Sequence, residues 1–262
     1  MRVLNDALTG AISAVLANSM VYPLDVITAR QQLAKRSLDK FTILKLLYRS
    51  RGLRGIYTGI SVSLFQTFCS NFTYFYFYSW IKYLHHRLFK QTSTLMELLM
   101  GALAGGLSRS LTTPISVITT RKQLEEKETT YIDSIDLIYK EDGIVGFWRG
   151  YQASLVLTVN PAITYGLFER LQFLRDTVNP FFLGAMTKSL ATVVTYPYIL
   201  VKTRLQASNQ YNSLWECMRH CIQQEGPMGL YKGIDSQLTK SVLCQAILFW
   251  LKDVLTRWRQ LN

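Results

Sequence analysis

Three basic side chains stand inside otherwise apolar runs of this chain: Arg109 five residues before Pro114, Lys188 nine before Pro197, and Lys240 seven after Gly233. A charge carried into a membrane span is costly unless it is paired, hydrated or functional. No nearby acid balances all three, but a polyphosphate would. Arginine offers such an anion a forked pair of donors, and lysine a compact charge. The structural alternative is that these bases snorkel to an interface or pair with Asp25 or Glu169. Bond-breaking chemistry has less to work with. A membrane-embedded enzyme on lipid or acyl groups would need a convergent set of acids and bases. The three histidines, His85, His86 and His220, are not mid-span, no nucleophile stands beside a base, and no enzymatic activity is expected. Cys217 and Cys221 share a helix face, yet a zinc site needs further ligands and none is evident. With Cys69 and Cys244 they read as core cysteines. Neither metal nor cofactor is expected.

The composition says what surrounds those bases. Hydrophobic residues make up 49% of the 262 residues and charged ones 18%, against the about 25% usual in soluble proteins. Much of the surface therefore faces something other than water. The net charge of +12 suits an anionic membrane surface and anionic solutes. Nucleic acid is not an expected partner, because no recognition module or basic tail is present. No cleavable leader is expected, since an apolar segment begins within three residues of Met1, and Gln260-Leu261-Asn262 is not a peroxisomal tripeptide address.

An internal repeat positions everything else. Pro23, Pro114 and Pro197 each open a segment with an arginine seven residues on (Arg30, Arg121, Arg204) and a glutamine nine on (Gln32, Gln123, Gln206). A glycine cluster follows each proline at a constant offset of 29: Gly52-x-x-Gly55-Ile-Tyr-Thr-Gly59, Gly143-x-x-Gly146-Phe-Trp-Arg-Gly150 and Gly226-x-x-Gly229-Leu-Tyr-Lys-Gly233. Three copies in one register define three units, 1–90, 91–177 and 178–262, within one domain.

Each unit carries the same elements. A small-residue apolar stretch precedes the proline, which kinks the helix and frees a carbonyl that a neighbour must satisfy. A short amphipathic helix follows, with apolar stripes at Leu44, Leu47, Tyr48, then Ile135, Ile138, Tyr139, then Met218, Cys221, Ile222. A second long apolar helix ends each unit, over 60–85, 151–174 and 234–258, long enough for a tilted span. Polar residues interrupt nearly every span, as a bundle around a watery cavity requires. Loop charge leaves orientation open, because the first short-helix loop is strongly basic while the second carries Glu125, Glu126 and Glu128.

This frame resembles the mitochondrial carrier family, whose signature is Pro-x-acid-x-x-base-x-base-x-Gln followed by a glycine-rich element. The resemblance covers nearly the whole chain. It implies an all-α bundle of six transmembrane helices in threefold pseudo-symmetry, with three short surface helices and alternating access between two gates. The gate motifs depart from the signature. The acid position holds Asp25, Ser116 and Ile199, and the first base position Thr28, Thr119 and Lys202, so only an Asp25–Lys202 pair is available at the kinks. On the even helices, Lys82 follows Tyr78-Ser79 without the acid, Phe168-Glu169 lacks the base at Gln172, and Lys252 replaces an acid. Gating is therefore expected to lean on packing and on Gln32, Gln123 and Gln206.

Other strings resemble the peroxisomal adenine nucleotide branch of that family: Val21-Tyr-Pro-Leu-Asp25, Cys69-Ser-Asn-Phe-x-Tyr-Phe-Tyr76, Leu157-Thr-Val-Asn-Pro-Ala-Ile-Thr-Tyr165 and Gln237-Leu-Thr-Lys240. They imply a peroxisomal membrane antiporter exchanging ATP for AMP or ADP, supplying luminal ATP for fatty-acid activation and β-oxidation. The implied substrate set is Gln66, the neighbours Val156 and Leu157, and Lys240, joined by Arg109 and Lys188, with Asn71 and Asn160 as hydrogen-bonding groups. Three alternatives stay open: a carrier of FAD, NAD, folate or coenzyme A in the mitochondrial inner or peroxisomal membrane, the enzyme above, and a soluble helical repeat scaffold. The expected partners are the transported nucleotides and membrane lipid, and a six-helix unit is expected to work as a monomer.

Overall fold

The computed structural model describes residues 2–34, 39–88, 93–124, 130–171, 180–244 and 247, with backbone alone at 2–14, 51, 53, 161, 165, 168, 169 and 180–182. Long and short helices alternate in three rounds. α1 (Arg2–Leu33) leads to the short α2 (Lys40–Arg51), the one-turn α3 (Leu53–Ile56) and the long α4 (Ile60–Leu88). α5 (Thr94–Leu124) leads to α6 (Tyr131–Asp142). The next rod is built end to end from α7 (Tyr151–Val156), a 3-10 turn over Leu157–Val159, and α8 (Asn160–Arg170). α9 (Pro180–Ala207) and α10 (Leu214–Glu225) precede a last helix, α11, over 234–244. The described residues contain no strand, in line with the all-α expectation. Lys252, Gln172 and the expected run of the last helix to Trp258 lie outside the described residues.

Local chemistry explains the boundaries. Each recurrent proline sits inside its long helix. Pro114 frees the carbonyl of Ser110, four residues earlier, and the Trp148 indole N–H donates to that oxygen at 2.9 Å. The short helices open on side-chain caps: Asp39 accepts from the Phe41 amide, Thr130 and Asp133 form a reciprocal box, and Ser213 accepts from the Glu216 amide. They close on Gly52, Gly143 and Gly226, whose φ values of 59°, 63° and 73° only glycine adopts cheaply.

The long helices turn a mixed face with many buried hydroxyls and amides inward and an apolar ridge outward. On α5 the outward ridge is Leu99, Leu103, Leu107 and Leu111, all exposed, while Ser108, Thr112, Thr113, Ser116, Thr119 and Thr120 are buried. α4 shows Phe65, Phe72, Tyr76 and Trp80 outward, and α9 shows Met186, Leu190 and Val194. Such an outward ridge suits hydrocarbon as the outer solvent. Among the described residues no helix is long and apolar enough to cross a membrane on its own hydropathy, because each gives one face to the mixed interior.

The short helices turn by about one position from the expected stripes. Leu47 and Ile138 are buried as expected, but Tyr48, Tyr139 and Ile222 are exposed. The packed faces are Ile43 with Leu47, Ser134 with Ile138, and Leu214 with Cys217 and Cys221. A surface helix that is apolar on two sides offers two competing stripes, and spacing alone does not rank them.

The three copies close into a ring through their last glycines. Gly59, Gly150 and Gly233 have φ values of 78°, 76° and 77°. A Cβ on Gly59 would lie 3.2 Å from Lys122 Cγ, on Gly150 3.1 Å from Gln206 Cγ, and on Gly233 3.0 Å from Gln31 Cβ. Copy one thus abuts copy two, two abuts three, and three abuts one.

Candidate functional site

Just past the three proline kinks, α1, α4, α5, α9 and α11 enclose a cavity of roughly 470 Å³. Its charged wall residues are Asp25, Arg109, Lys202 and Lys240, three bases against one acid. The remainder of the wall is mostly uncharged and polar, with Asn18, Ser63, Gln66 and Thr67 on the α1–α4 side and Leu157 as an apolar patch. Asn18 Nδ2 donates to Thr67 Oγ1 at 2.9 Å, fixing both side chains. The three bases come from α5, α9 and α11, the acid comes from α1, and neutral polar side chains line every side.

Asp25 makes its ion pair with Lys240, at 2.7 Å, and not with Lys202 as expected. Lys202 instead lies within electrostatic reach of Arg109 and Lys240, and among the described residues neither Arg109 nor Lys202 has an acid in contact range. The expected pair fails because α11 brings a closer cation to Asp25 than α9 does. Two bases are thus left facing the cavity without a protein counter-charge.

Below them the three glutamines form a floor, each tied to another copy. Gln32 Nε2 donates to Tyr196 Oη at 3.2 Å, and Gln123 hydrogen-bonds Tyr22. Gln206 Nε2 donates to Ser116 at 3.2 Å while its Oε1 accepts from Thr120 at 3.1 Å. Tyr22 and Tyr196 precede their prolines directly and also donate to the carbonyls of Thr58 and Lys232, beside Gly59 and Gly233. The second copy has Thr113 before its proline, so Gln206 uses Ser116 and Thr120 instead. The sequence reading missed these tyrosines, although Tyr-Pro in two copies was the available signal.

Of the expected substrate residues, Gln66, Arg109, Leu157 and Lys240 meet at this cavity. Four others are not on its wall. Val156 is exposed on the outer surface, since the 3-10 turn that begins at Leu157 brings that residue inward. Asn71 donates to the Thr67 carbonyl within its own helix at 2.7 Å. Asn160 donates to Thr195 at 2.7 Å and accepts from Lys188 at 3.3 Å, so these two occupy each other between α8 and α9. At the far end of α4, Lys82 pairs with Glu97 at 3.6 Å and lies over the Tyr78 ring. The Glu169 side chain lies outside the described residues.

A second cluster supports the floor from the short-helix side. Glu225 receives Arg204 at 2.9 Å and Lys232 at 2.8 Å. Burial alone would raise its carboxyl pKa, but these two cations outweigh burial and hold it below the ordinary glutamate value. Arg204 also donates to the Gln32 carbonyl at 3.0 Å, and Lys232 to that of Ala34 at 2.8 Å, which caps the C-terminal end of α1 with positive charge. Cys217 and Cys221 are fully buried beside this cluster. No group of metal ligands occurs among the described residues.

The family model described as mitochondrial carrier protein matches residues 1–88, 90–175 and 173–262. The chain is 32% identical to peroxisomal adenine nucleotide transporter 1 of Saccharomyces cerevisiae, over 98% of this chain and 92% of that one. It is 31% identical to the peroxisomal membrane protein PMP34 of Mus musculus, over 95% and 91%. It is 29% identical to the peroxisomal nicotinamide adenine dinucleotide carrier of Arabidopsis thaliana, over 98% and 96%.

Proposed function

Since the chain belongs to the mitochondrial carrier family, we propose that it exchanges adenine nucleotides, ATP against AMP or ADP, by alternating access. It is a multi-pass carrier of the peroxisomal membrane, and in the proposed role it supplies luminal ATP for fatty-acid activation. The observation that carries the cargo is the cavity charge: three bases, Arg109, Lys202 and Lys240, against Asp25 alone. A nucleotide polyphosphate supplies the missing negative charge, while Gln66 and Asn18 offer donors and acceptors to its base. The floor of Gln32, Gln123 and Gln206 acts as the closed gate on the short-helix side, and Lys82 with Glu97 belongs to the other.

A second reading, transport of NAD, draws on the plant relative named for that dinucleotide, and its pyrophosphate would suit the same bases. Purified protein in liposomes distinguishes the two. Labelled ATP uptake is measured with AMP, ADP, NAD, FAD or coenzyme A inside, and AMP or ADP are the expected drivers. Uptake driven by neither mononucleotide would overturn this cargo. Lys240→Ala is expected to reduce exchange by at least about tenfold while the protein stays folded, as for loss of a close charge partner. Unchanged exchange would remove Lys240 from the site.

A further inference from the structure

The geometry points to Tyr22 and Tyr196 as positioning residues that link the floor to the glycine corners of the first and third copies, a linkage the second copy lacks. The inference rests on the reading of the floor as a gate. It starts from one phenol oxygen in each of two copies. Tyr196 Oη accepts from Gln32 Nε2 at 3.2 Å and donates to the carbonyl of Lys232, the residue before Gly233. Tyr22 repeats the arrangement, bonded to Gln123 and donating to the carbonyl of Thr58, before Gly59. The glycines make room for these hydroxyls. A Cβ on Gly59 would lie 3.3 Å from Tyr22 Oη, and one on Gly233 3.3 Å from Tyr196 Oη. Each ring also stacks on the tyrosine of its own corner, Tyr22 on Tyr57 at 6.2 Å and Tyr196 on Tyr231 at 6.1 Å between centroids.

Both tyrosines are fully buried, and a buried hydroxyl deprived of a partner is costly. A floor glutamine that swings away therefore unsettles the bond to the corner carbonyl. A corner that shifts withdraws the oxygen that the glutamine uses. Floor and corner then move as one part in these two copies. In the second copy the residue before the proline is Thr113, and the ring position is Trp148. Thr113 is buried, but its hydroxyl donates to the Arg109 carbonyl within α5. Trp148 donates to the Ser110 carbonyl, also on α5. Gln206 is held by Ser116 and Thr120, which belong to α5 and not to the corner, and it meets the corner by packing against Gly150. The gate thus has two hydrogen-bonded handles within a threefold frame.

The test uses the full-length protein in liposomes of one orientation, with Cys244, which lines the cavity, as reporter. A membrane-impermeant methanethiosulfonate is added on the short-helix side, and labelling of Cys244 is read by mass spectrometry. Labelling needs no nucleotide, so failure of the proposed cargo leaves it readable. Gln32→Ala sets the scale, since it removes a floor residue outright. Tyr22→Phe and Tyr196→Phe keep ring and stack, and each is expected to raise labelling about fivefold, the factor for one hydrogen bond. Thr113→Val deletes the matching hydroxyl of the second copy and is expected to leave labelling unchanged. Unchanged labelling in both phenylalanine variants, while Gln32→Ala responds, overturns the inference alone, and so does an equal response in Thr113→Val. A rise from the opposite side as well would mark general loosening of the bundle and also overturns it. No response in Gln32→Ala overturns the floor as a gate and the inference with it. Should the phenylalanine variants not fold, amide hydrogen exchange in Gln32→Ala supplies the reading with both tyrosines intact. Exchange at residues 232–234 is expected to quicken, and unchanged exchange there overturns the inference.

Discussion

The first and third copies of the repeat meet the same structural demand with different chemistry. In the third, Glu225 precedes Gly226 and Lys232 precedes Gly233, and the two close an ion pair that also takes in Arg204. The second copy repeats the device with Asp142 and Arg149, at 2.6 Å. In the first copy the matching positions are Arg51 and Thr58. The acid is replaced by a base and the base by a hydroxyl, so this pair cannot form there. That corner is held instead by Tyr22, Val26, Ile27, Ile43, Leu47 and Ile56, packed as one buried cluster, and by the Tyr22 hydroxyl on the Thr58 carbonyl. The shape of the corner is conserved among the copies, whereas the force that makes it is interchangeable.

The comparison can be broken most severely in the third copy. Glu225→Ala leaves Arg204 and Lys232 with no carboxylate between them and is expected to cost about 3 kcal/mol, as for one partner of a largely buried pair. Thermal unfolding in detergent would read it as a lowered Tm. Next in size, Gly150→Ala combines an unfavourable φ of 76° with a 3.1 Å approach to Gln206, and about 2 kcal/mol is expected. Gly52→Ala, also at positive φ but in open space, should cost only about 1 kcal/mol on the same assay. Building the missing device into the first copy, with Arg51→Glu and Thr58→Lys together, should raise stability by about 1 kcal/mol, and Arg51→Glu alone by less.

The smallest effect is on pH dependence. Glu225 is held below its ordinary value of 4.5, so its stabilisation is complete above that pH and is lost as acid carries the solution through the lowered pKa. Glu225→Gln should flatten the acid limb of the stability profile. The first-copy corner, with no acid at the matching position, contributes nothing to that limb. An unaltered acid limb in Glu225→Gln would show that the third corner does not depend on its charge.

How much of this could be read from the chain depends on what each feature requires. The prolines, arginines, glutamines and glycines recur at fixed offsets because each performs a backbone or ring-closing task in every copy, so spacing alone revealed the scaffold. Arg109 and Lys240 were visible because a base in an apolar run is costly. Partners were not visible. Asp25 pairs with Lys240 rather than Lys202 because of how α11 is rotated, and no periodicity in residues 234–244 reports that angle. Val156 and Leu157 differ by one position, and the 3-10 turn decided between them. Asn160 and Lys188 looked like ligands until α8 and α9 placed them against each other.

The ring of glycine contacts bears on how the protein is made. Lys232 reaches the carbonyl of Ala34 across 198 positions of sequence, and Gly233 seats against Gln31. During synthesis, the part of α1 that carries Asp25, Gln31 and Gln32 therefore waits for the final third of the chain. A nascent chain cut short after two copies would carry Asp25, Gln31 and Gln32 without their covering surface, a recognisable mark for quality control. The contacts between first and third copies close only when the last copy is present, and pulse-labelled truncations ending before residue 226 should be degraded faster than the full chain.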